Sequence, residues 1–137
     1  MKRLFTLILC IGFMTLSNDN SMAAGISSEA SYAQADQGSD FHVISDRTKG
    51  DTRTVIASTS ELVCSKQVEV RVDVKTKKIT YCKFTGGCPG NTLGVSRLVI
   101  GLTVREAVSK LRGIPCGNRP TSCPDQLARV LETLNLQ

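Results

Sequence analysis

Four cysteines in the second half of this chain constrain its fold more than any other feature of the sequence. Cys64 precedes an alternating segment, and Cys88 lies in the turn-forming run Gly-Gly-Cys-Pro-Gly-Asn. Cys116 and Cys123 bracket a short loop that ends in Thr-Ser-Cys-Pro-Asp at residues 121–125. Each cysteine stands where a strand or a helix is expected to begin or end. Such positions suit metal ligands, because the backbone must bend for thiolates to converge on an ion.

A β-hairpin is predicted directly after Cys64. Valines occupy every second position of residues 68–74 and alternate with polar residues, which is typical of a half-buried antiparallel strand. A turn at residues 76–78 then leads into a partner strand at residues 79–84. The strand pattern stops at a pair of glycines.

Three helices are predicted after the hairpin. The first opens at Asn91 or Thr92, and the second opens at a capping box formed by Thr103 and Glu106. The third opens at Pro124, which suits the first helical position, and Ser122 with Asp125 gives a second cap signal there. Two strands followed by three helices predict an α+β fold, in which the helices pack on one face of a small antiparallel sheet.

The N-terminal residues 1–24 resemble a secretory signal. A basic start precedes an apolar run too short to span a bilayer comfortably, and a small-residue cleavage site follows it. The sequence therefore predicts an exported or periplasmic protein, with no membrane span in the mature form. The alternative is a wrongly chosen start codon upstream of a cytoplasmic domain.

Residues 25–60 are rich in small polar residues and predict a flexible linker, with at most one short strand or docking segment. His42, the one histidine, lies in this stretch and is given no role. The folded domain is predicted at residues 61–137.

The charge and aromatic content weigh against a nucleic-acid partner. The net charge is +5, but the basic residues form only one tight group, in the predicted hairpin turn. Trp is absent and aromatics make up 4% of the chain, so the stacking platforms of single-stranded nucleic-acid binders are missing.

The cysteines leave three interpretations open. A zinc or iron–sulfur site requires tertiary convergence, because the chain has no Cys-x-x-Cys pair. Two disulfides would suit an exported protein, and unligated structural cysteines are the third interpretation. Cys82 lies inside a predicted strand without Gly or Pro beside it, and we interpret it as an ordinary small apolar residue.

Several motifs occur together in a defined order. They are Val63-Cys64-Ser65, Phe84-Thr85-Gly86-Gly87-Cys88 with Gly90-Asn91, Leu98-Val99 with Gly101, Leu111-x-Gly113-Ile114, Cys116, and Thr121 through Leu127. In this order they resemble the TSCPD domain family, which is named for the motif at residues 121–125. The resemblance covers a little over half of the chain.

The resemblance implies a cysteine-rich metal-binding module. Family members occur as small stand-alone proteins and as the C-terminal module of adenosylcobalamin-dependent ribonucleotide reductases, where the cysteines are thought to bind metal. It thus implies that Cys64, Cys88, Cys116 and Cys123 bind zinc or an iron–sulfur cluster. It also implies a reductase large subunit or another protein as partner. No catalytic residue is carried over.

A weaker likeness is to iron–sulfur scaffold proteins of the SufE/NifU-like fold. Cys64, Cys88 and Cys123 take the three cysteine positions of those scaffolds. The acidic residue that usually follows their first cysteine is replaced here by Ser65 and Lys66. This departure weakens the case for labile cluster assembly and favours a closed four-thiolate site.

Two functional alternatives stay open beside the metal-binding module. One is ribonucleoside-diphosphate reduction for DNA precursor synthesis, which rests on family association alone, because the chain is too short for the barrel and cobalamin site of such a reductase. The other is an exported domain that forms disulfides or exchanges thiols through Cys116 and Cys123.

Overall fold

The structure, a computed structural model, describes residues 41–136. Within this range the chain forms four strands and then three helices. The strands are β1 (His42–Lys49), β2 (Thr52–Ser58), β3 (Ser65–Asp73) and β4 (Ile79–Gly86). The helices are α1 (Pro89–Leu98), α2 (Val104–Leu111) and α3 (Cys123–Glu132).

The four strands form one antiparallel sheet in the order β1-β2-β3-β4. Along β3, Val68, Val70 and Val72 are buried, whereas the residues between them are at least partly exposed. These valines belong to one hydrophobic cluster with residues such as Leu127 and Leu131 of α3. The buried face of the sheet thus packs on the helices, and the predicted α+β class is confirmed.

The structure differs from the predicted linker at residues 25–60, because residues 42–58 form the hairpin of β1 and β2. The hairpin closes through a two-residue turn, Gly50-Asp51, between the paired residues Lys49 and Thr52. Gly50 has a φ of +59°, the conformation that glycine supplies in such turns.

The polarity of this hairpin explains why its composition suggested a linker. No residue of β1 is buried, and β2 buries only Val55 and Ala57. Strand β1 lies at the sheet edge with both faces exposed to solvent. Its sequence therefore lacks the alternation of apolar and polar residues by which a half-buried strand is recognised. The first part of the predicted linker and the signal-like residues 1–24 lie outside the described residues.

The helix starts agree with the sequence where a local cap defines them. Thr103 and Glu106 form the expected capping box at α2, and the Ser122 hydroxyl caps α3 by accepting from the Asp125 N–H at 3.2 Å. Helix α1 instead begins at Pro89, with Cys88 as its N-cap, earlier than the predicted Asn91 or Thr92. None of the helices in the described range is long and apolar enough to cross a membrane.

Candidate metal centre

The pairing of β3 with β4 brings Cys64 close to Cys88. Cys64 stands directly before β3, whose first residue Ser65 pairs with Gly86, the last residue of β4. Gly86 and Gly87 then turn the chain with φ values of +76° and +91°. A Cβ on Gly87 would lie 2.7 Å from the Thr92 methyl carbon, so this turn requires glycine.

Cys88 lies at the N-terminus of α1. Its carbonyl accepts hydrogen bonds from the Thr92 backbone N–H and hydroxyl, both at 3.0 Å. Its own side chain makes no capping bond and is exposed. The partial positive charge of a helix N-terminus favours an anionic ligand group such as a thiolate at this position.

Cys116 lies in a tight turn of the loop between α2 and α3. The Arg119 backbone N–H donates to the Cys116 carbonyl at 3.1 Å, and Gly117 has a φ of +58°. The Cys116 side chain is exposed. The turn therefore presents this thiol at the surface.

Cys123 is the first residue of α3 and, unlike the other three, is buried, with 7% of its surface exposed. The preceding residue, Ser122, ties the helix start to the loop by donating its hydroxyl to the Ile114 carbonyl at 2.6 Å. The helix start and the Cys116 loop are thus bound to each other.

The buried carboxylate of Asp125 holds both ends of that loop. It accepts from the Gly113 N–H at 2.6 Å and from the Thr121 hydroxyl at 2.7 Å. Arg112 and Arg129 pair with it at 3.1 and 2.8 Å. Burial raises the pKa of Asp125, but the hydrogen bonds from Gly113, Arg129 and Thr121 outweigh it, so this pKa is lowered. The last residue of the Thr-Ser-Cys-Pro-Asp motif therefore anchors the loop.

The four predicted cysteines lie close enough for the charges of three of them to affect the pKa of the fourth, Cys88. The pKa of Cys88 is raised, first by the charge of Cys64 and then by a hydrogen bond with the Cys64 thiol. Burial adds to this, and so do the charges of Cys116 and Cys123. Four separate segments of the chain, up to 59 residues apart in sequence (123 − 64), thus bring their thiols to one end of the sheet.

The donor set fits a thiolate-bound metal, although the side chains are not yet gathered around one point. Among residues 41–136, no group of three or more His, Cys, Asp or Glu is already arranged to hold an ion. The two observations are compatible, because charges interact over about 8–10 Å in physiological salt, whereas a zinc–sulfur bond is about 2.3 Å long. Three of the four thiols are exposed, and exposed side chains change rotamer within nanoseconds.

No disulfide joins the five cysteines of the described range. Cys82 is in the core, as predicted, with 8% of its surface exposed. Burial raises its pKa to about 11, against the opposing effect of a hydrogen bond with Ser96. The assignment of the other four cysteines as metal ligands stays a prediction. His42, to which the sequence assigned no role, is exposed at the start of β1.

Arg119 is a site residue that the sequence reasoning missed. Its guanidinium Nη1 donates to the Cys64 Sγ at 3.4 Å. The signal available in the sequence was its position as the one charged residue between Cys116 and Cys123, since a cation beside thiolate ligands stabilises them.

Comparison with known proteins identifies one family. The family model described as TSCPD domain matches residues 31–135, which include all seven strands and helices and the four thiols. No curated protein matches the chain, and no solved structure does. The weaker likeness to SufE/NifU-like scaffold proteins therefore has no match to support it.

Proposed function

This chain belongs to the TSCPD domain family, and from that premise we propose that it is a small metal-binding module. Cys64, Cys88, Cys116 and Cys123 would hold a zinc ion, or alternatively an iron–sulfur cluster. The module would serve a larger protein partner, of which a ribonucleotide reductase is the candidate that the family association offers.

The convergence of the four thiols at one end of the sheet carries this proposal. Each thiol is positioned by a different local structure. The β3–β4 register positions Cys64, and a glycine turn followed by a helix start positions Cys88. A tight turn positions Cys116, and the capped start of α3 positions Cys123. Four cysteines needed only for packing would be buried, but three of these are exposed.

Zinc is the preferred occupant, because four thiolates satisfy its tetrahedral coordination. A metal closed in by four protein ligands has no open position for a substrate, so it would supply stability rather than catalysis. It would tie β3, the start of α1, the α2–α3 loop and α3 together. The absence of an acidic residue after Cys64 also favours a closed site over labile cluster assembly.

Ribonucleotide reduction by this chain alone is not part of the proposal. The described residues form a four-stranded sheet and three short helices, and a fold-level association does not transfer an activity. We propose instead an accessory role beside a catalytic subunit. We propose that the chain is exported if residues 1–24 act as a secretory signal, and that it stays in the cytoplasm if they do not.

Metal analysis of the purified full chain tests the proposal. We expect about one zinc per chain, or iron with the visible absorption of a cluster, in wild type. Single Cys→Ser variants at positions 64, 88, 116 and 123 should lose bound metal or bind it more weakly. Cys82→Ala is the matched control, because this thiol is buried away from the site, and it should keep the metal.

Intact mass under native and denaturing conditions separates the alternatives in the same samples. Retained metal appears as added mass only under native conditions, a disulfide as the loss of two hydrogens, and signal cleavage as a shorter chain. Neither zinc nor iron in reduced wild type, or metal unaffected by all four serine variants, would falsify the proposal. Disulfides linking these cysteines in the purified protein would favour the exported, disulfide-bonded alternative.

A further inference from the structure

We propose that Arg119 is a positioning residue of this site, which strengthens metal binding by donating a hydrogen bond to the Cys64 sulfur and offsetting the negative charge of the thiolates. The inference rests on the proposed function, since it concerns how the same four thiols hold their ion. It assigns a role to a side chain outside the ligand set.

Arg119 connects two of the segments that carry ligands. Its guanidinium reaches the Cys64 sulfur at 3.4 Å, a contact between residues 55 positions apart. Its backbone N–H donates to the Cys116 carbonyl at 3.1 Å and closes the turn that presents that thiol. One residue therefore fixes the loop through its main chain and reaches the start of β3 through its side chain.

Arg119 carries a positive charge, which is the sign that a site of four thiolates requires. Four thiolates outnumber the positive charges of a divalent ion, so a site of this kind is anionic even when metal is bound. The Arg119 guanidinium lies 3.4 Å from the Cys64 sulfur, so its positive charge is placed directly beside one of the four thiols.

The side chain of Arg119 has little to do with the packing of the fold. Residues 114–120, which include Arg119, are exposed. Its loss should therefore leave the metal-free domain intact, because surface substitutions away from the core usually change stability very little. A hydrogen bond to a ligand atom, by contrast, restrains the ligand and tunes the metal, and removing such a partner typically weakens binding by about 10–100-fold.

The test compares zinc affinity in the full chain with Arg119 replaced by Met or Lys. Arg119→Met keeps the length and the backbone N–H bond to Cys116 but removes charge and donors, so we expect its zinc dissociation constant to rise about tenfold. Arg119→Lys should fall between Met and wild type, because it keeps the charge without the planar fork. Competition with a chromogenic chelator gives these constants.

Arg105→Met is the matched control. Arg105 is an exposed arginine of α2 that lies near Lys77 of the β3–β4 turn, at the opposite end of the hairpin from Cys64 and Gly86. The variant changes the net charge by the same amount as Arg119→Met. Its zinc affinity should equal that of wild type.

Two further measurements separate a role at the metal from a structural one. Thermal unfolding of the metal-free protein should be the same in Arg119→Met and wild type. Cobalt substitution should give the same sulfur-to-metal charge-transfer intensity in both, because all four thiolates remain ligands.

The outcomes distinguish this inference from the proposed function. Wild type that binds zinc through the four cysteines, with an affinity unchanged in Arg119→Met, overturns the role of Arg119 alone. An equal loss in Arg105→Met and Arg119→Met also overturns it, since the effect would then be one of net charge. Wild type that binds no metal overturns both proposals.

Discussion

Asp125 illustrates at the scale of one residue how the fold and the thiol site depend on each other. Its carboxylate is fully buried and bonds Gly113 and Thr121, which lie on either side of the loop that carries Cys116. It also pairs with Arg129, of which only 4% is exposed. A buried charge is tolerated only when it is paired and hydrogen-bonded, so this residue stabilises the fold through the same contacts that shape the site.

Replacement of Asp125 by Asn keeps the shape of the side chain and removes its charge. We expect this variant to lose about 3 kcal/mol of unfolding free energy, because breaking a buried ion pair from one side typically costs that much. Urea unfolding measures the loss. Asp51→Asn is the control: the Asp51 carboxylate pairs with Lys75 at the exposed surface, so removing its charge should cost less than about 1 kcal/mol. Equal losses in the two variants would contradict the anchoring role of Asp125.

The contact between Arg119 and Cys64 marks the limit of what could be predicted about single residues. The cysteines were recognisable because each stands beside turn-forming or cap-forming residues, which is local information. The Arg119 contact joins residues 55 positions apart and depends on the strand register, the glycine turn and the loop anchor together. No short stretch of sequence contains that information.

At the scale of the elements, the helices and strands that could be predicted are those marked by a pattern within a few neighbouring residues. The capping box of α2 and the serine cap of α3 are formed within four residues, so they were predicted correctly. The alternating valines were also sufficient to predict β3, because one face of that strand is buried and the other faces solvent. The hairpin of β1 and β2 was missed, since its polar sequence is typical of a linker and its pairing with β3 is not local.

The capping box of α2 makes stability depend on pH. The Thr103 backbone N–H and hydroxyl donate to Glu106 at 2.8 and 2.7 Å, and they lower the pKa of this carboxylate from 4.5. A lowered folded-state pKa means that the stabilisation is complete above the unfolded value and is lost as the pH falls through the folded one. We expect Glu106→Gln to flatten the dependence of thermal unfolding on pH below about 4.5. An unchanged slope in that window would contradict the assignment.

The glycine turn before Cys88 predicts opposite effects of the same substitution at two sites. Gly87→Ala should destabilise the protein by about 1–3 kcal/mol, because alanine is strained at positive φ and its Cβ would lie 2.7 Å from Thr92. Gly94→Ala, in the middle of α1 with nothing within 4 Å of the new methyl, should stabilise it by about 0.5–1 kcal/mol. Chemical unfolding measures both. Effects of the same sign would contradict the requirement for glycine at position 87.

At the scale of the whole molecule, the thiol site lies at the end of a sheet that the β1–β2 hairpin completes. Strand β2 pairs with β3 along seven residues, and its Val55 and Ala57 belong to the hydrophobic core. Arg53 of β2 also donates to the Leu134 carbonyl beyond α3 at 2.9 Å. Strand β3, which directly follows Cys64, is therefore held on both sides, by β4 and by β2.

This arrangement predicts where the chain can be shortened. The sequence alone placed the start of the folded domain at residue 61, but a chain beginning there lacks β1 and β2, exposes the edge of β3 and removes two core residues. We expect it to lose cooperative thermal unfolding and to aggregate, because an uncovered strand edge pairs with other chains. A chain that begins at residue 41 keeps all seven elements and should unfold cooperatively. Calorimetry and light scattering compare the two, and equal stability would show that the hairpin is not part of the folding unit.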